Sequence, residues 1–271
     1  MEDAWPPPRL PRGFGVLVTA STRGIGFYAA RELGRLGARV VVSGRSREGI
    51  ERAVEELRRL GVEAYGVRAD LLDGESLQRL LEEAWRLLDG VDMLVFNAGN
   101  VSCEPCYLHE AGYSDWLEAA RLHTAAPGFL ASLYVSRLLR EQRRGVIVFL
   151  SSITVKEPMP HFVLADTARA GLVQLARSIA LEYAARGVRA YTVLLGSFDT
   201  PGARRNIRLL AERKGVSFEE AWRRWVIELS KLGRVARPEE LGALLAFLAS
   251  PYAEYMNGST LTMDGVMTGC V

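Results

Sequence analysis

Residues Gly15–Leu36 read GVLVTASTRGIGFYAARELGRL. The first six, Gly15–Ala20, form a short apolar run rich in β-branched side chains, the composition of a strand buried on both faces. A turn over Thr19–Gly26 follows, and apolar residues then recur at helical spacing to Leu36. Gly24 and Gly26 let backbone N–H groups and the start of a helix come close to a ligand, and a helix N-terminus favours the negative charge of a pyrophosphate. Two glycines alone mark only a tight turn. Their place between a strand and a helix makes the segment a dinucleotide-binding loop.

The same alternation continues along the chain. Further strand-like runs are Ala38–Ser43, Val62–Val67, Val91–Phe96, Val146–Leu150, Val188–Leu194 and Ser259–Met263. Between them lie amphipathic stretches such as Glu48–Leu60 and Glu75–Leu88, with Leu and Val at i, i+3 and i+4. Strands alternating with helices predict an α/β fold. It is a single doubly wound Rossmann domain with a seven-stranded parallel sheet and helices on both faces, spanning 13–271. The Pro-rich start, residues 1–12 (MEDAWPPPRLPR), reads as a flexible arm.

Composition bounds the partners. The 271 residues carry 34 basic and 32 acidic groups, too balanced to imply nucleic acid or a membrane surface. Apolar residues make up 49% and charged residues 24%, an ordinary globular mixture. No apolar run is long enough to span a bilayer. Three cysteines, an odd and low number, suit a reducing cytoplasm. Only three of the 34 basic residues are lysine (Lys156, Lys214 and Lys231).

The loop Thr19–Gly26 resembles the TGxxxGIG signature of the short-chain dehydrogenase/reductase family, with Ala20 at the first glycine. Four further segments agree in order. Asp70 follows the third run, and Asn97-Ala98-Gly99 the fourth. Val146–Ser152 ends on a serine pair. Leu232-Gly233-Arg234, Arg237–Glu240, Gly258 and Asp264-Gly265 match the C-terminal segment. The resemblance spans 13–268 and implies a nicotinamide-dependent oxidoreductase acting on a small carbonyl or alcohol. On it, Thr19, Ser21, Arg23, Gly24, Ile25, Gly26, Asp70, Leu71, Asn97, Ala98, Gly99, Gly196 and Thr200 would contact the cofactor. It also implies packing into a homodimer or homotetramer through helices at Ala125–Gln142 and Phe162–Arg186.

The loop after the second strand, Ser43-Gly44-Arg45-Ser46, lacks the acid that usually holds the ribose 2′-hydroxyl of NAD. Arg45 can grip a 2′-phosphate bidentately, Ser43 and Ser46 can donate to it, and Arg23 lies in the adjacent loop. The reading favours NADP(H), with NAD(H) left open.

The catalytic positions depart from the family. Its chemistry uses a Tyr whose phenol, with an ordinary pKa of ~10, is tuned by a Lys four residues on. Here Ser152 holds the serine position, but residue 165 is alanine, residue 169 is arginine, and His123 stands at the asparagine position. Arg169 retains a cation for the ribose. His161 and His123 are the candidate replacements for the proton carrier, set against ordinary packing roles. Asp166 is expected to point to solvent. The alternative is a catalytically inactive dinucleotide-binding or redox-sensing protein on the same fold.

Two other features stand out. Cys103, Cys106 and His109 have the spacing of zinc ligands, with Cys270 or another His as a fourth, or of a dithiol; two cysteines in a pocket wall also serve as apolar residues, and no metal is assigned. On the same resemblance, residues 201–232 would form a lid segment over the substrate. It carries Arg204, Arg205 and Arg208, which would meet an anionic substrate or simply face water.

Overall fold

The computed structural model describes residues 9–269. All seven expected strands are present: β1 Gly15–Val18, β2 Arg39–Gly44, β3 Ala64–Arg68, β4 Met93–Phe96, β5 Gly145–Ser152, β6 Val188–Leu195 and β7 Thr260–Met263. They pair in parallel in the order β3-β2-β1-β4-β5-β6-β7. The order reverses between β1 and β4, the point at which open α/β sheets bind ligands.

The two-residue period of the strands divides the core. Val16, Val18, Val40, Val42, Met93 and Val95 pack on one face, together with α1 (Gly24–Arg35) and α10 (Pro238–Ala249). Leu17, Val41, Leu94 and Phe96 pack on the other, against α3 (Gly74–Leu88), α5 (Ala126–Glu141) and α7 (Gly171–Tyr183). Helix α2 (Arg47–Arg59) flanks the β2–β3 edge, and α4 (Tyr113–Ala120) leads through a wide π turn at Arg121–Ala125 into α5.

The helix expected over Phe162–Arg186 is divided. Helix α6 (Val163–Arg169) ends at Ala170, α7 runs to Tyr183, and a short turn covers Ala184–Arg186. The segment after β6 carries α8 (Pro201–Lys214), α9 (Phe218–Trp222) and a π turn at Arg223–Ile227. Residues 1–8 of the expected arm and Cys270 lie outside the described residues. Within the rest of that arm, Leu10 is a correction to the expectation of mobility: it is buried in the α1 face of the core and donates its N–H to Leu36 O at 2.9 Å.

Candidate active site

The loop after β1 is held from within. Thr19 Oγ1 donates to Asn97 O at 2.6 Å and accepts from Asn97 N at 2.9 Å. Asn97 Nδ2 in turn donates to Ala20 O at 3.0 Å. A Cβ on Gly26 would lie 2.6 Å from Ala20 O and 2.7 Å from Asn97 Nδ2, so only glycine fits there. Ser21 Oγ donates to Val18 O at 2.7 Å and accepts from Ser43 N at 2.9 Å. Gly24 adopts a φ of +62°, and Ala20, in place of a glycine, is held at +45°.

The first turn of α1 differs from those of α2, α3, α8 and α9. Each of these has a side chain accepting from its first N–H groups (Ser46, Asp73, Thr200 and Ser217). Helix α1 has neither a side-chain cap nor an acid in its first turn, and Ile25 continues the loop into it. Its opening N–H groups are thereby left for an anion.

The other cofactor candidates ring the carboxyl ends of the strands. Asp70, after β3, accepts from Leu72 N at 3.0 Å, and Leu71 is buried beside it. Ala98 and Gly99 follow Asn97, with Gly99 exposed. Gly196 ends β6 so closely that a Cβ would sit 2.7 Å from Asp264 Cα. Thr200 caps α8 by accepting from Ala203 N at 3.0 Å.

In the loop after β2, Arg45 is exposed, as is Arg23. Ser43 is turned inward and directs its hydroxyl to Val18 O at 3.4 Å. Ser46 is engaged locally: it accepts from Gly49 N and donates to Glu48 Oε2 at 2.7 Å. Both serines are occupied by the fold, because a buried or capping hydroxyl satisfies the nearest backbone first.

The ends of β5 and α6 form the second half of the site. Ser152 Oγ accepts from Thr154 N at 3.2 Å and from Thr154 Oγ1 at 3.0 Å. Ala165 is 1% exposed and belongs to a small apolar cluster with Val101, Cys106, Ala119 and Leu164. The loop after β4 therefore packs directly against Ala165. Arg169, one helical turn on, lies beside Glu104 and Asp166; burial lowers its pKa and both carboxylates oppose that fall.

Glu104 is a residue that sequence reasoning missed. It is 2% exposed, and Oε1 accepts from Ala165 N at 2.8 Å, capping α6 from another loop. Burial raises its pKa, against the bonds from Ala165 and Leu164 and the charge of Arg169. No local pattern marks this acid, since its partners lie some sixty positions away.

His123, in the π turn, is 1% exposed with Nε2 lacking a partner. Burial, then the Arg169 charge, pushes its pKa down to about 2, so it is neutral at ordinary pH and a poor proton donor there. His161 adopts a φ of +76°. Its ring meets Tyr107 edge-on at 4.3 Å, its carbonyl accepts from Cys106 N at 3.0 Å, and burial lowers its pKa.

Asp166 corrects the expectation of a solvent-facing acid. It is 6% exposed, because α6 is short and the loop Lys156–Phe162 folds over its first turn. Oδ2 accepts from Met159 N at 3.2 Å, and Oδ1 is buried without a partner. Burial raises its pKa, against the Thr154 hydroxyl, the Met159 N–H and Arg169. Thr154, His161, Asp166 and Tyr107 share the wall of a cavity of about 550 Å³.

Cys103 and Cys106 are free thiols, and Cys106 is pushed up to about 12 by burial and by the neighbouring Cys103. Among the described residues, no three His, Cys, Asp or Glu side chains gather as metal ligands, and His109 instead stacks on Tyr107 at 5.6 Å. In the segment after β6, Arg204 binds Asp199 through two bonds of 2.6 Å and covers Trp222, while Arg208 covers Phe218. Arg205 is exposed.

The glycine cradle sits at the sheet's reversal point, with Ser152 at the carboxyl end of β5 and Arg169 at the end of α6. The chain belongs to the short-chain dehydrogenase/reductase family. A family profile described as enoyl-(acyl carrier protein) reductase matches residues 19–268. The chain is 33% identical, over 93% of its length and 96% of the relative's, to the 3-oxoacyl-acyl-carrier-protein reductase FabG of Aquifex aeolicus. It is 32% identical, over 95% and 94%, to 3beta-hydroxysteroid dehydrogenase 1 of Eggerthella lenta. A crystal structure of a single-substitution variant of actinorhodin polyketide ketoreductase with NADPH superposes at a TM-score of 0.88, with 28% identity over 95% of this chain and 98% of that one. No helix among the described residues is long and apolar enough to cross a membrane.

Proposed function

We propose that the protein is an NADP(H)-preferring oxidoreductase that interconverts a small carbonyl and its alcohol. The observation that carries this reading is the uncapped, acid-free first turn of α1 at the point where the strand order reverses, with Ser152 at the carboxyl end of β5 in the same sheet. The residues fit the cofactor. The first turn of α1 with Gly24, Ile25 and Gly26 would hold the pyrophosphate; Asp70 and Leu71 would flank the adenine; Arg169 would donate to ribose hydroxyls; and Gly196 and Thr200 would border the carboxamide.

Arg45 and Arg23, exposed beside the loop after β2, support the phosphorylated cofactor, and Glu48 next to Ser46 weighs against it. When bound, the nicotinamide supplies or accepts the hydride. Ser152 then holds the substrate oxygen, and the neutral His123 and His161 contribute polarity to the two sides of α6. The relatives' reductase and ketoreductase names support a carbonyl substrate. Exposed Leu181 and Phe129, on α7 and α5, support a homodimer or homotetramer, and the free thiols support a cytoplasmic setting.

A second reading, a dinucleotide-binding protein without turnover, is favoured by one observation: Ala165, which the resemblance aligns with the family's phenol, lies inside an apolar cluster. The deciding experiment titrates purified protein with NADPH and NADH by fluorescence and follows cofactor oxidation across a carbonyl panel. Turnover with NADPH upholds the first reading. Tight binding without turnover, unchanged by His123→Ala and His161→Ala, upholds the second. Arg45→Ala lowers NADPH affinity by about tenfold and leaves NADH unaffected if the phosphate is read there.

A further inference from the structure

We propose that α8 is a strap laid across the loops at the carboxyl end of the sheet, and that release of its C-terminal fastening, Arg213 on Glu110 and Tyr107, is the step that opens the cavity behind Tyr107.

The strap has little apolar anchorage of its own. Of the 14 residues of α8 only Ala211 is buried, and the element it chiefly packs on is α9. Arg204 over Trp222 and Arg208 over Phe218 join these two helices into one unit. Segments with few buried apolar contacts open on their own, ahead of the core. The two ends of α8 are held differently. At its start Phe198 is buried in the core, Tyr28 on α1 donates to Asp199 O at 2.7 Å, and Arg204 binds the Asp199 carboxylate. Midway, Asn100 Nδ2 donates to Asn206 Oδ1 at 3.3 Å. At its end Gly215 stops the helix at a φ of +65°, and among the described residues Arg213 is the side chain of the last turn that bonds to another element.

Arg213 lands on the rim of the 550 Å³ cavity. Its Nη1 donates to Glu110 Oε2 at 2.9 Å and Oε1 at 3.2 Å, and the guanidinium lies 5.8 Å from the centre of the Tyr107 ring. Glu110 Oε2 also accepts from Tyr107 N at 2.8 Å, so one carboxylate ties the strap to a residue of the cavity wall. Tyr107 meets His161 edge-on at 4.3 Å, and Cys106 N donates to His161 O at 3.0 Å. Tyr107 and His161 both line the cavity, and their contact closes it where the loops after β4 and β5 meet. Arg213 and Glu110 are 36 and 37% exposed, and an ion pair in that setting is weak. A weak fastening at the free end of a stiff helix, with the other end fixed, is a latch. It keeps the closed form in the majority and gives way without unfolding the core.

Two measurements on the whole protein, neither requiring a ligand, test the latch. Tryptic cleavage after Lys214 reads release of the strap, and hydrogen exchange of the Cys106 N–H reads separation of the two loops at the cavity. Glu110→Gln keeps an acceptor for Tyr107 N and leaves the strap's own sequence untouched; it raises both rates about threefold. Arg213→Met also removes the cation over the Tyr107 ring and raises both about tenfold. Arg213→Lys, which keeps the charge, stays within about twofold of wild type. Unchanged rates in Glu110→Gln and Arg213→Met overturn the latch. Faster cleavage with an unmoved Cys106 N–H overturns its link to the cavity. An equal rise at the amides of β4 and β5 also overturns the proposal, because Arg213 would then support the whole fold and not one movable end.

Discussion

The two halves of the site satisfy their polar groups differently. Around the loop after β1, Thr19, Ser21, Ser43 and Asn97 bond to one another's segments and close every buried side chain on a protein partner. Among the described residues, the buried side-chain atoms without a partner are His123 Nε2, Ser151 Oγ, His161 Nδ1 and Asp166 Oδ1, all at the β5–α6 end. Buried polar groups are ordinarily hydrogen-bonded, and those that are not mark strain or chemistry. The first half is a rigid cradle whose contacts are finished before a ligand arrives. The second carries the unfinished contacts, around Ala165, Asp166 and His123.

The cradle breaks most sharply at Gly26. Gly26→Val drives a side chain into Ala20 O and Asn97 Nδ2, both within 2.7 Å of the first added carbon. We expect a stability loss of at least ~3 kcal/mol and no measurable dinucleotide binding, read by thermal unfolding and NADPH fluorescence. Survival of cofactor binding in this variant would show that the loop is not the closed lattice described above.

On the other side, Ala165→Tyr tests whether the missing phenol is merely absent or has been replaced. The alanine methyl sits among Val101, Cys106 and Leu164, so a phenol there displaces the loop and the Glu104 cap. The expected result is a loss of ~1–3 kcal/mol in thermal or urea unfolding and no gain in activity, even combined with Arg169→Lys. A tyrosine accepted without cost, and active, would mean that the loop after β4 had not taken over the space.

The carboxyl of Glu104 gives a pH signature of the same half. Its folded pKa is raised above the ordinary value of 4.5 by burial, so the unfolded chain releases the proton first. Its contribution to stability is full below about 4.5 and is lost as pH rises through the folded value. Glu104→Gln removes this loss. The melting temperature of the variant relative to wild type therefore climbs as pH rises from about 4.5 toward neutrality, by a few degrees. His123 has the opposite sign: its folded pKa is depressed to about 2, so its contribution is present above 6.5 and is lost as pH falls. His123→Leu gains on wild type as pH drops below 6.5, and a flat difference curve would place the imidazole in water.

The division explains what was legible in the sequence. The cradle is local: Thr19, Gly24 and Gly26 lie within eight residues, and their period and glycine spacing carry both strand and loop. The central strands declared themselves because burial on both faces leaves continuous apolar runs. The β5–α6 half is assembled from distant pieces. Glu104 caps Ala165 across sixty-one positions, and Asp166 turns inward only because a loop covers a seven-residue helix. Helical spacing put Asp166 beside an alanine and said nothing of that loop. The same limit applied to Ser43 and Ser46, whose residue type suits a phosphate but whose hydroxyls the backbone had already engaged.

The smallest effect is expected at Ala20, and it probes how the cradle holds its own strain. A φ of +45° costs an alanine ~1 kcal/mol, and glycine would relieve it while losing a comparable amount through the freer unfolded chain. Ala20→Gly alone should therefore shift stability by less than ~0.5 kcal/mol. Asn97 is what imposes the conformation, donating to Ala20 O at 3.0 Å. In Asn97→Ala that restraint is gone, and the alanine can relax away from the left-handed region, carrying the loop with it. Glycine in the same background keeps the observed turn without strain. The double variant should accordingly recover part of the cofactor affinity lost in Asn97→Ala, a coupling of ~0.5–1 kcal/mol measured by a double-mutant cycle on NADPH binding. Strict additivity would mean that Asn97 supports the cofactor directly and has no hold on the turn.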